Sequence, residues 1–307
     1  MSSLRFDGRV AVVTGGGRGI GAAYASLLSS RGAQVVVNDI GTSRFGAGSD
    51  ASPASETVEQ IRRAGGTAEP DTSDISVPDG ALALVDHAVS AFGRLDIVVN
   101  NAGIYWTDSF PEIDLTDLQR QLAVHVGGSF NVARAAWPHL RASGSGRMVV
   151  TTSTGALGSA ELVSYGTAKA AVLGLGRALA MAGEPHGIKV NIIAPMAMTR
   201  MMNAHTGNVE VPEDPDRDPS LVAPLVAILC HQDCPVNGEA YMSGMRRTAR
   251  LFIAETQGYT HPSIKLTPED LLEHWAEISD LSRQQLAPDT HTWSASNQER
   301  IAVADIG

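Results

Sequence analysis

Residues 9–21 read Arg9-Val-Ala-Val-Val-Thr14-Gly15-Gly16-Gly17-Arg18-Gly19-Ile20-Gly21. Arg9–Thr14 is a short β-branched, near-continuous apolar run, the pattern of a strand covered by helices on both faces. The glycine cluster ends that strand, and Ile20–Arg31 carries apolar residues at the three- and four-residue spacing of a helix. Glycines at such a junction let the backbone turn tightly and approach a pyrophosphate. The helix behind them offers free N–H groups and a positive dipole end to the anion. The spacing of Gly15, Gly19 and Gly21 is G-x-x-x-G-x-G rather than the commoner G-x-G-x-x-G. Taken alone, the cluster suits a plain structural turn as well.

The same rhythm continues along the chain. Gln34–Asn38, Leu95–Asn100, Arg147–Thr152 and Lys189–Ile193 read as further buried strands. Ser55–Ala64, Asp79–Phe92, Leu115–Leu140 and Leu162–Ala182 read as helices between them. Repeated βα units with right-handed crossovers predict an α/β fold, a doubly wound parallel sheet with helices on both faces, spanning residues 1–245. Two irregular segments interrupt it. Ile40–Pro53 is a Gly/Ser-rich insert after the second strand. His205–Pro219 contains Pro212, Pro215 and Pro219, too dense for helix or central strand, and reads as a substrate lid or as a plain surface loop. Past Gly244 the rhythm stops. Residues 246–307 read as an extension packed on the same domain or on a neighbouring subunit, with one amphipathic helix, Pro268–Asp280.

The chain has 307 residues and a net charge of −10. That acidity argues against a nucleic-acid partner, which demands a basic face, and against adhesion to anionic membranes. No run of about eighteen apolar residues occurs, and the N-terminus lacks the apolar stretch of a signal peptide, so a cytoplasmic location is expected. Cys230 and Cys234 flank His231. A zinc site would need two more ligands at a fitting spacing, so no metal is expected, and two buried or half-buried thiols in a reducing compartment is the reading taken.

Asp39 stands at the end of the second predicted strand. A carboxylate there can accept hydrogen bonds from adenosine ribose hydroxyls and would repel a 2′-phosphate, which favours NAD over NADP. Arg18 argues the other way, since a cation beside the glycine turn can pair with that phosphate. Tyr165 and Lys169 lie four apart on a predicted helix and share a face. A neighbouring ammonium is expected to lower the phenol's pKa and make Tyr165 an acid or base near neutral pH. Ser153, at the end of a predicted strand, can hold a substrate oxygen beside it. A Tyr-x-x-x-Lys pair on its own is more often a surface pair.

Taken together, Thr14–Gly21, Asn100-Asn101-Ala102-Gly103, Ser153 and Tyr165-x-x-x-Lys169 resemble, in order and spacing, the short-chain dehydrogenase/reductase family, over about residues 6–245. The resemblance implies a Rossmann-type domain that moves a hydride between an alcohol or ketone carbon and nicotinamide C4. It makes Tyr165 the acid/base, gives Lys169 the nicotinamide ribose and has Ser153 orient the substrate oxygen. Gly15, Gly17, Arg18, Gly19, Ile20 and Gly21 would surround the pyrophosphate. Asn101, Ala102 and Gly103 would pass close to the cofactor, Asp74 and Ile75 would contact adenine, and Pro195, Met196 and Thr199 would line the nicotinamide side. Two positions depart from the family pattern. His125 stands where an asparagine commonly helps hold a relay water, and it either serves that relay, titrates within it or merely packs the helix. Met196 follows Pro195 where glycine is usual.

Val37-Asn38-Asp39, His125–His139, Ile193-Ala194-Pro195 and Val222–Val226 resemble, more narrowly, the dehydrogenase unit of the type 2 peroxisomal multifunctional enzymes. That resemblance implies an NAD-dependent (3R)-hydroxyacyl-CoA substrate class. Arg246, Arg247 and Arg250 then either meet CoA phosphates or form ordinary salt bridges. The family also implies a homodimer or homotetramer built on the helices at 115–140 and 162–182. Competing readings are a steroid or other alcohol dehydrogenase using NADP, and a non-catalytic NAD-binding regulator or scaffold.

Overall fold

In the computed structural model, which describes residues 4–43, 45–199, 214–286 and 289–304, the chain divides into two compact units, Met1–Arg250 and Leu251–Gly307. The first runs β1 (Val10–Thr14), α1 (Gly19–Ser30), β2 (Gln34–Asn38), α2 (Ser52–Arg63), β3 (Thr67–Asp71), α3 (Pro78–Phe92), β4 (Ile97–Asn100), α4 (Leu115–Leu122), α5 (Ser129–Ala142), β5 (Arg147–Thr151), α6 (Val163–Gly183), β6 (Lys189–Met196), α7 (Ala223–Cys230) and β7 (Ala240–Gly244), closing on β8 (Arg247–Leu251). The eight strands form one sheet in the order β3-β2-β1-β4-β5-β6-β7-β8, with β1 to β7 paired in parallel. The predicted apolar runs are its centre. Every residue of β1, β4 and β5 is buried, as strands with helices on both faces require. The winding reverses between β1 and β4, and a crevice opens there at the carboxyl ends of the strands, where such folds bind ligands.

Several parts of the sheet and its helices were hidden from sequence patterning, β7 among them. β3 reads Thr-Ala-Glu-Pro-Asp and has no apolar run, because it lies at the sheet edge, where a proline is tolerated. β8 extends the sheet past Gly244 through a two-residue hairpin, an antiparallel return after seven parallel strands. The helix predicted over Leu115–Leu140 is interrupted. A six-residue π-helical turn, Ala123–Gly128, joins α4 to α5 and carries His125.

In the second unit, β9 (Ala254–Thr256) pairs antiparallel with β10 (Gln284–Leu286). The helix predicted over Pro268–Asp280 is two short ones, α8 (Pro268–Glu273) and α9 (Trp275–Ile278). They part at His274, whose ring stacks on Tyr259 at 3.8 Å. Thr267 and Asp270 form a capping box that starts α8. A further helix, α10 (Thr290–Ala304), follows. No helix among the described residues is long and apolar enough to cross a membrane.

Gly176 sets how closely α6 approaches the sheet. A Cβ there would lie 2.5 Å from Ile192 Cγ1 and 2.7 Å from Val150 Cγ2. Gly176→Ala is therefore expected to overpack this seam at a cost of about 1–3 kcal/mol, lowering Tm by about 3 °C or more. Gly174→Ala, where nothing lies within 4 Å of the added atom, should leave Tm unchanged or raise it. Thermal denaturation of the two variants checks both.

Candidate active site

A cleft of about 1040 Å³ crosses the carboxyl ends of the strands. Its base is the turn after β1. Gly21 must be glycine, because a Cβ would lie 2.1 Å from the Gly15 carbonyl oxygen and 2.6 Å from Asn101 Nδ2. Asn101 binds this turn to β4. Its Nδ2 donates to Thr14 O at 3.0 Å and Gly15 O at 3.1 Å, while Thr14 Oγ1 accepts from the N–H groups of Asn101 and Ala102 at 3.0 and 3.1 Å. Such a cradle of backbone at a helix N-terminus fits a pyrophosphate.

Asp39 lines the cleft beyond β2. Its Oδ2 accepts from Gly17 N at 3.0 Å and its Oδ1 from Gly41 N at 2.8 Å, which fixes the carboxylate and leaves each oxygen a second lone pair for a ribose hydroxyl. Gly17, expected against the cofactor, also supports Asp39. It does not line the cleft, and a Cβ on it would lie 2.8 Å from Asp39 Oδ2 and from Pro53. Arg18 lines the cleft with its guanidinium 4.0 Å from Asp50 of the insert. Asn38, Asp74 and Ile75 complete this end. Asn38 Nδ2 donates to Asp71 Oδ1 and Ser73 O at 2.8 and 2.9 Å.

The insert after β2 does more than connect. Ile40, Thr42, Gly46 and Gly48 line the cleft, and the Phe45 carbonyl accepts from Arg120 Nη2 at 3.1 Å on the far bank. Its described residues thus help wall the cleft and reach α4, which its composition did not announce.

At the other end stand Ser153, Tyr165, Lys169 and His125, all lining the cleft. The Ser153 hydroxyl acts on the Tyr165 phenol, drawing its pKa down, and accepts from Gly155 N at 3.1 Å. Lys169 Nζ donates to Thr151 O at 2.8 Å and lies 5.7 Å from the centre of the Tyr165 ring. The Tyr165 ring meets Tyr105 edge-on at 5.0 Å and His125 edge-on at 5.5 Å. Tyr105, from the loop after β4, was not singled out in the sequence. Nor was Asp108, which caps α6 from the same loop: it accepts from Val163 N at 2.7 Å and Ser164 N at 3.1 Å, and from the Ser164 hydroxyl. Nothing local marks it, since its partners lie 55 and 56 residues away.

The protonation states differ from the sequence expectation. Lys169 was expected to pull Tyr165 down. Burial dominates instead and pushes the phenol up to about 12, with the Ser153 hydrogen bond opposing it. Burial likewise brings Lys169 down to about 7. His125 does not titrate near neutrality, because burial, reinforced by the Lys169 charge, holds it well below the usual histidine range. Its Nε2 donates to Ile104 O at 2.9 Å, so Nδ1 is an acceptor, buried and without a protein partner. The ring packs on Gly103, where a Cβ would lie 2.4 Å from its Cε1.

Pro195, Met196 and Thr199 also line the cleft. Of the proline-dense segment, His205–Glu213 lies outside the described residues. Asp214–Pro219 forms short capped turns, and Arg217 and Pro219 line the cleft. Arg246 pairs with Asp216 at 2.7 Å and Arg250 with Glu239 at 2.8 Å, so both make ordinary salt bridges.

The family model for short chain dehydrogenase matches residues 9–210. The chain belongs to the short-chain dehydrogenase family. A short-chain type dehydrogenase/reductase of Mycobacterium tuberculosis is 39% identical over 284 residues, covering 91% of this chain and 96% of that one. Peroxisomal multifunctional enzyme type 2 of Mus musculus is 40% identical over 286 residues, covering 92% of this chain but 38% of that enzyme, so this chain spans under two fifths of that relative's length. Among solved structures, a 7α-hydroxysteroid dehydrogenase complexed with NADH and 7-oxo glycochenodeoxycholic acid superposes with a TM-score of 0.69 at 30% identity, over 79% of this chain and 96% of that one. This short-chain dehydrogenase is accordingly an oxidoreductase acting on CH–OH groups, with a nucleotide-binding Rossmann-type fold.

The buried Lys169 ties stability to pH. Its pKa is about 7 in the fold against 10.5 for the ordinary side chain. Between those values the unfolded chain holds a proton that the folded chain excludes, so the penalty is full below pH about 7 and fades as pH rises. Tm of the cofactor-free protein is expected to climb between about pH 7 and 8.5, and Lys169→Met should flatten that climb. Thermal melts across the window measure it. Equal slopes in both proteins would refute the assignment.

Proposed function

We propose that this dehydrogenase uses NAD to interconvert a secondary alcohol and a ketone on a bulky, largely apolar substrate, a 3-hydroxyacyl-CoA in the first instance. The observation that carries the reading is the Tyr165 phenol, walled by Tyr105 and His125 and lining with Ser153 and Lys169 the same cleft as the glycine turn and Asp39. When bound, the nicotinamide supplies the hydride acceptor or donor. The protein's own residues do the rest. Ser153 orients the substrate oxygen. Tyr165, a phenol at neutral pH, gives its proton to the carbonyl oxygen in reduction; in oxidation its phenolate takes the hydroxyl proton as the carbon loses hydride. Positive charge favours that phenolate, and Lys169 and an oxidised nicotinamide both provide it. Asn101 and the glycine turn hold the pyrophosphate, Lys169 the nicotinamide ribose, and His125 Nδ1 accepts a hydrogen bond in the relay behind Lys169.

Asp39 supports NAD, since its carboxylate faces the cleft beside β2 and would repel a 2′-phosphate, and Arg18 is turned towards Asp50. The substrate end supports an apolar ligand, lined as it is by Ile104, Tyr105, Leu162, Met196 and Met198. The likeness to the multifunctional enzyme favours an acyl-CoA, and the likeness to the hydroxysteroid dehydrogenase makes a steroid the second reading. Exposed Leu115 and Phe130 on α4–α5 and Met181 on α6 suit pairing with a second copy.

NADH appearance over a panel of 3-hydroxyacyl-CoA lengths and hydroxysteroids tests the substrate. Tyr165→Phe should cut kcat/KM by about 10³-fold while NAD affinity changes little; an active variant would refute the role. NAD is expected to bind about 100-fold more tightly than NADP, and Asp39→Ala should narrow that gap. Equal dissociation constants for the unsubstituted protein would overturn the cofactor choice. Turnover of any alcohol or ketone excludes the scaffold reading.

A further inference from the structure

β7 and β8 are joined by only two residues, Met245 and Arg246, and both hold left-handed backbone angles, φ 51° and 58°. Among the described residues no other non-glycine has a positive φ. A two-residue hairpin demands this geometry because its twist matches the flanking strands, and asparagine or aspartate followed by glycine is the usual occupant. A side chain with a Cβ crowds the following carbonyl in this region, so a Met-Arg pair is locally unfavourable. Strain of this kind persists where it serves a site. Arg246 makes only an exposed pair with Asp216, a contact that adds little.

Met245, 44% exposed, lines the mouth of the cleft, and the sheet order fixes where. The adenosine end lies over β2 and β3, the catalytic tyrosine beside β5, and β7 lies two strands further out. Gly244 pairs with Met196 in register, so closely that a Cβ on Gly244 would lie 1.9 Å from the Met196 carbonyl oxygen. Met245 therefore emerges next to Met196, in a cleft that Met198 also lines, beyond Tyr165 on the side away from the adenosine. Thioether side chains are unbranched and polarisable and adapt to an irregular apolar shape.

We propose that Met245 is a specificity-determining residue that grips the apolar body of the substrate, and that the strained β7–β8 turn exists to place it there. The inference rests on the dehydrogenase reading above and adds the selection of long alkyl over short.

The test compares 3-hydroxybutyryl-CoA with 3-hydroxydecanoyl-CoA, which differ only in their apolar body. Dissociation constants are measured by calorimetry on NAD-loaded protein, alongside turnover. Met245→Asn is expected to reduce the preference for the longer thioester about tenfold and, by suiting the left-handed angle, to raise Tm by about 2 °C. Met245→Leu should recover most of the preference. An unchanged preference in Met245→Asn, an equal weakening of both ligands, or a fall in Tm would overturn the proposal. Intact selective binding without turnover would count against the catalytic reading and leave Met245 in its role; no binding of either thioester would overturn both.

Discussion

Thr14 and Asn101 hold the two central strands together at the point where the winding of the sheet reverses. Four hydrogen bonds cross that seam, two from the asparagine amide to the turn after β1 and two from backbone N–H groups to the threonine hydroxyl. The turn cannot shift without breaking them, because Gly21 already approaches both Gly15 and Asn101 as closely as atoms allow. With the turn fixed, the N-terminus of α1 is aimed across the crevice. The loop leaving β4 is fixed in turn. It carries Gly103 under His125, Tyr105 against Tyr165, and Asp108 onto the first turn of α6. The cofactor end and the catalytic end are thus set by one junction between neighbouring strands.

Burial governs the chemistry at the catalytic end. Lys169 and His125 are buried and Tyr165 is half-buried, and each is driven toward its uncharged form. In a low-dielectric pocket, charge arriving with a ligand acts more strongly than it would in solvent. A phenol, a near-neutral amine and a neutral imidazole therefore form a site whose ionisation responds to what binds in it.

Much of this was legible in the sequence, and the reason differs from part to part. The central strands showed because burial on both faces forces continuous apolar runs. The glycine turn, Asp39, Ser153, Tyr165 and Lys169 showed because each sits at a strand end or on a helix face where its chemistry and its position coincide. β3 did not show, since an edge strand needs no apolar pattern. Asp108 and Tyr105 did not show either, since their partners are distant in the chain and adjacent only after folding. The hold of Gly17 on Asp39 did not show, since the two are 22 residues apart in the chain. The pKa of Tyr165 was misjudged because spacing on a helix reveals a neighbouring cation and says nothing about the depth of the pocket around both.

The π-helical turn over Ala123–Gly128 has a meaning in terms of chain length. A π-turn accommodates one residue more than the α-helical turn it replaces, and one residue corresponds to about 100° of helix rotation. Gln121, His125, Gly128 and Ser129, at the i, i+4, i+7 and i+8 spacing of one helix face, are all buried. Chemically mild substitutions here can be absorbed by local repacking. Loss of a single residue cannot, because it would turn α4 about its axis relative to α5 and carry His125 away from Tyr165. The segment is thus a counted spacer, constrained in its number of residues more tightly than in their identity.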